Sequence, residues 1–63
     1  METYWFVEKE KTDGMFCDTK KFDSYAEAEK YFNCIEFDAD DKKIIMGFSG
    51  EYDADIIGIR RKK

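Results

Sequence analysis

The chain has 63 residues and a formal net charge of −4, with 15 acidic and 11 basic residues, no histidine and no proline. That length sets one domain, residues 1–63, around a thin core, because a chain of this size buries only about 60% of the surface its unfolded form exposes. A deep catalytic cleft is excluded on the same ground. The aromatic fraction of 17% offsets the thinness, since each ring brings about 150–250 Å² of burial.

The charge is uneven. Arg60-Arg61-Lys62-Lys63 holds four of the basic residues, so residues 1–59 carry −8. An acidic body repels a phosphate backbone, which disfavours direct nucleic-acid binding and favours basic protein partners. The basic end, residues 60–63, reads as a frayed, solvated tail. Met1-Glu2-Thr3 lacks a basic and then apolar leader, and no apolar run approaches a membrane span, so the expectation is a cytoplasmic protein with no membrane contact. In that compartment Cys17 and Cys34 are expected as free thiols.

In chain order, Thr3–Lys9 is aromatic and β-branched, the composition of a strand. Asp13-Gly14 marks a hairpin, and Met15–Lys20 returns as its partner. The clearest helix signal follows in Phe22–Asn33. Ser24-x-x-Glu27 is a capping box, Tyr25, Ala28 and Phe32 recur on one face, Tyr31 and Ile35 widen it, and Asn33 is a left-handed cap candidate. Phe22 is expected beneath the helix start. Ile35 and Phe37 then alternate with Glu36 and Asp38 as a short strand, and Ala39–Lys42 is a turn. Lys43–Ser49 is a strand in which Gly47 signals a bulge or a close backbone approach. Ala54–Arg60 is the last strand. The expected fold is α+β, an antiparallel sheet with one helix on one face, in the order ββαβββ. The alternative order ββαββ arises if the helix runs on to Phe37.

Chemistry-bearing motifs are few. Without histidine, a serine or cysteine nucleophile lacks its usual base, so no catalytic residue is assigned. The glycines form neither a dinucleotide nor a phosphate loop, and no cofactor is implied. Zinc lacks a ligand set. Calcium fails at Asp38-x-Asp40, where Lys42 follows, and at Asp53-x-Asp55, where Ile57 replaces a ligand.

What remains are two acidic clusters, Glu36, Asp38, Asp40 and Asp41, and then Glu51, Asp53 and Asp55. Ordinary solubilising turn residues are the default reading of them, ahead of a working surface. As a surface, they would dock on a basic partner in place of nucleic-acid phosphates. A sheet face left open by a single helix would add exposed aromatics. Trp5, Val7 and Tyr52 are assigned to it, on the premise that Tyr4 and Phe6 face the helix. The expected function is therefore a non-enzymatic, acidic protein-interaction domain. Its size, acidity and lack of catalytic groups are those of small inhibitors carried by phages and mobile elements, with anti-CRISPR inhibitors the natural example. Such a protein would block a larger, basic, nucleic-acid-handling protein by occlusion or DNA mimicry. The competing expectation is a structural module that forms a homodimer or larger oligomer through a sheet edge or the open face.

Overall fold

The computed structural model describes residues 3–62. Four strands and one helix follow one another as β1 (Tyr4–Lys11), β2 (Phe16–Phe22), α1 (Tyr25–Cys34), β3 (Asp41–Ser49) and β4 (Ala54–Arg61). This is an α+β fold with the order ββαββ. The strands form one antiparallel sheet in the order β2-β1-β3-β4, so β1 and β3 are central and β2 and β4 are its edges.

The hairpin between β1 and β2 turns at Gly14, whose φ of 88° suits a residue without a side chain. The helix starts where its cap predicts. Ser24 is extended, and its Oγ accepts a hydrogen bond from the Glu27 N–H at 3.2 Å. Its end differs from expectation. Asn33 lies inside the helix, and the cap is Ile35 in extended backbone. A left-handed residue is not needed there, because the Arg60 guanidinium donates through Nη1 to the carbonyls of Phe32 (2.6 Å) and Ile35 (2.8 Å).

The strand expected at Ile35–Asp38 is not formed. Residues 35–38 are irregular, and Ile35 and Phe37 turn their side chains into the core instead of pairing along a ladder. Their alternation reflects this docking.

The core lies between α1 and the sheet. Val7, Ala28, Ile44 and Met46 are buried at its centre, with Trp5, Phe22, Tyr31, Phe32, Ile35 and Phe37 packed around them. Cross-strand register explains the set: Trp5 stands opposite Phe22 and Phe48, and Val7 opposite Met46. Odd positions of β1 therefore point to the helix, and even positions point away. At Gly47 the backbone is crowded. A Cβ there would lie 2.5 Å from the Phe6 ring and 2.6 Å from the Asp55 carbonyl oxygen. The register between β3 and β4 shifts at this point, leaving Ile57 as an extra residue in β4.

The end of the chain is ordered further than expected. Arg60 and Arg61 belong to β4, and the Lys62 Nζ donates to the carbonyls of Asp38 (2.8 Å) and Ala39 (3.0 Å). The expected frayed tail is thus not found at residues 60–62, and Lys63 lies outside the described residues. Among the described residues no helix is long and apolar enough to cross a membrane.

Candidate interaction surface

The two acidic clusters have different fates. In the first, Asp41 opens β3 opposite Lys11 of β1 and is only 2% exposed. Its carboxylate meets Lys11 Nζ at 2.6 Å and Lys9 Nζ at 3.3 Å, and accepts from the Asp38 N–H at 2.6 Å. Asp38 and Asp40 stand outside the same lysines, at 3.2 Å from Lys9 and 3.0 Å from Lys11 respectively. Lys9 also donates to the Glu36 carbonyl at 2.9 Å, while the Glu36 side chain is exposed.

Burial alone would raise the Asp41 pKa. The Lys11 bond, the Asp38 N–H and Lys9 outweigh it and bring the value down from 3.8 to about 2. Lys11 shifts upward in turn, held charged first by Asp41 and then by Asp40. Burial opposes the Lys9 charge, but its bonds to Asp38 and Asp41 prevail and raise its pKa.

This cluster is therefore a clasp. It ties the loop between α1 and β3 to the end of β1, and lysines offset the charges of Asp38, Asp40 and Asp41. Asp41 is too deeply buried to touch a partner. Once strand pairing fixes the faces of β1, Trp5, Val7, Lys9 and Lys11 all point to the same side of the sheet.

The second cluster is open. The connection between β3 and β4 is closed by the Gly50 N–H, which donates to the Asp53 carbonyl at 2.7 Å. Glu51, Tyr52, Asp53 and Asp55 are all exposed, Tyr52 to 88%. Among the described residues, no ion pair involves Glu51, Asp53 or Asp55.

The sheet face away from the helix adjoins this turn, and its members differ from those assigned by composition. Trp5 and Val7 belong to the helix side. Val7 is fully buried, and the Trp5 ring packs against Phe48 (4.6 Å between centroids) and Tyr25 (5.2 Å). The β1 register places them there. Tyr4 and Phe6 lie on the open face instead, in edge-on contact at 6.4 Å. Phe6 lies over Gly47, and it and Ile45 are shielded by their neighbours on this face. Beside them on β4, Ile56 and Ile59 stay 52% and 46% exposed.

The remainder of this face is polar and internally paired. Thr19 donates to Glu8 at 3.0 Å, Glu10 pairs with Lys43 at 3.2 Å, and the Lys21 ammonium sits 4.6 Å from the Tyr4 ring centre. A shallow depression of about 230 Å³ opens between Tyr4, Phe6, Glu8, Thr19, Ser49 and Ala54.

Little else offers chemistry. Both cysteines are free. Burial, followed by the Asp18 charge, pushes the Cys17 thiol up, which makes it a poor nucleophile. An apolar groove of about 350 Å³ runs between α1 and β2, lined by Phe22, Glu27, Lys30, Tyr31 and Cys34. Among the described residues no group of three or more aspartate, glutamate or cysteine side chains is placed to hold a metal ion. Comparison with protein-family models, with curated proteins and with solved structures finds no match.

Proposed function

We propose that the chain acts without catalysis, by binding a larger protein through the turn between β3 and β4 and the adjoining open sheet face. The observation that carries this reading is the exposed Tyr52, flanked in the turn by Glu51 and Asp53, which form no ion pair among the described residues, and followed on β4 by the half-exposed Ile56. An aromatic beside an apolar strip and a charged rim has the make-up of a protein contact.

A basic partner suits the rim, since opposite charge speeds encounter and sets orientation. In its sharpest form the partner handles nucleic acid, and the chain is an inhibitor of the anti-CRISPR type. Three free carboxylates then imitate only a short run of phosphates, so steric occlusion carries more of the inhibition than DNA mimicry. The cytoplasm is the compartment in which free thiols at Cys17 and Cys34 persist.

Affinity capture from the cells in which the chain occurs tests this. A protein retained by the unchanged chain and by D38N/D40N should be lost from E51K/D53K and Y52S. Equal retention by all four refutes the assignment.

A further inference from the structure

The two edges of the sheet are built differently. β2 is blunted in the ways that edge strands avoid pairing: Asp18 sits at φ 56°, the register to β1 shifts beside it, and Lys20 and Lys21 follow. β4 has eight residues with no positive φ and no lysine, and its own register shift, at Ile57, serves pairing rather than blocking it. Its sequence, Ala54-Asp55-Ile56-Ile57-Gly58-Ile59-Arg60-Arg61, is acidic at the start, apolar in the middle and basic at the end. Read antiparallel to itself, it is complementary.

We infer that β4 pairs with β4 of a second copy about a two-fold axis between Ile57 and Gly58, joining the two sheets into one of eight strands. The bulge at Ile57 is what makes this register work. In a regular strand Asp55 and Arg60 fall on opposite faces, because their positions differ by an odd number. Here Asp55 stands opposite Phe48 and Arg60 opposite Ile44, two residues on the helix side of β3. Ile56 and Ile59 stand opposite Gly47 and Ile45, both on the open side.

The extra residue therefore places Asp55 and Arg60 on one face and Ile56 and Ile59 on the other. Across the two-fold axis Asp55 meets the second copy's Arg60, Ile56 meets its Ile59, and Ala54 meets its Arg61, each pair occurring twice. Arg60 already holds the end of α1 through Nη1, which leaves its Nε and Nη2 donors for a carboxylate. The dimer joins two open faces side by side, with the half-exposed isoleucines at the seam. It does not depend on the larger partner proposed above.

Ala54 is exposed at the end of the strand and provides a test that spares the monomer fold. The unchanged chain, A54E and A54K are compared by sedimentation equilibrium from about 1 µM to about 500 µM, with circular dichroism to confirm equal folding. A54E sets a carboxylate opposite Arg61 of the second copy, and A54K sets a like charge there. With two such pairs per dimer, A54E should tighten Kd, and A54K weaken it, by about 2- to 30-fold. A monomer throughout the range overturns the inference, as does a dimer whose Kd ignores both substitutions. Capture of the larger partner by the unchanged chain, held at concentrations below its dimer Kd, keeps the two readings separable.

Discussion

Replacing Asp41 with asparagine removes the central charge of the clasp while keeping its shape and an acceptor for the Asp38 N–H. Taking one partner from a fully buried ion pair costs about 3–5 kcal/mol, because the other charge is stranded. Here Lys9 and Lys11 keep Asp38 and Asp40 beside them, both more than 60% exposed, and reach solvent themselves at 12% and 17% exposure. The cost therefore falls at or below the low end of that range, at about 2–3 kcal/mol. In a domain of this size that is a loss of about 10–20 °C in Tm. Asp41→Ala also strands the Asp38 N–H and costs about 1 kcal/mol more. Urea unfolding of the two variants, with Lys11→Met in a double-mutant cycle, measures each term. An Asp41→Asn variant within about 0.5 kcal/mol of the parent refutes the clasp.

The same carboxylate sets an acid limit. Its folded pKa lies below its unfolded value, so its contribution is complete above 3.8 and is lost as the pH falls towards about 2. The gap in stability between the parent chain and Asp41→Asn should close across that window, and denaturant midpoints at a series of pH values measure it. Gly47→Ala should lose about 3 kcal/mol or more, because the added methyl group meets the Asp55 carbonyl as well as a ring. Thermal unfolding reads this loss.

Local features were the most legible in sequence. The Ser24 cap and the Asp13-Gly14 turn depend on neighbours or on backbone alone, and each stands where its residues imply; the close approach at Gly47 comes from Phe6 and Asp55 on other strands, and glycine alone marked it. The docking of residues 35–38 was not legible, because alternation marks a strand equally well. Nor was the face assignment of Trp5 and Phe6. Four apolar residues in succession, Tyr4 to Val7, carry no parity, and only pairing with Phe22 and Phe48 fixes which side faces the helix. The clasp escaped for a related reason: Asp41 and Lys11 are thirty positions apart, and an aspartate in a polar turn looks solvated until the fold closes over it. Arg60 likewise read as tail until its contacts with the end of α1 were seen.

The most direct test of the working surface is photo-crosslinking, with a benzoylphenylalanine placed at Tyr52 or, as a control on the exposed side of α1, at Glu29 or Lys30. A larger protein should crosslink from position 52 and none from 29 or 30. Crosslinking from the helix positions with none from position 52 rules out the turn as the working surface.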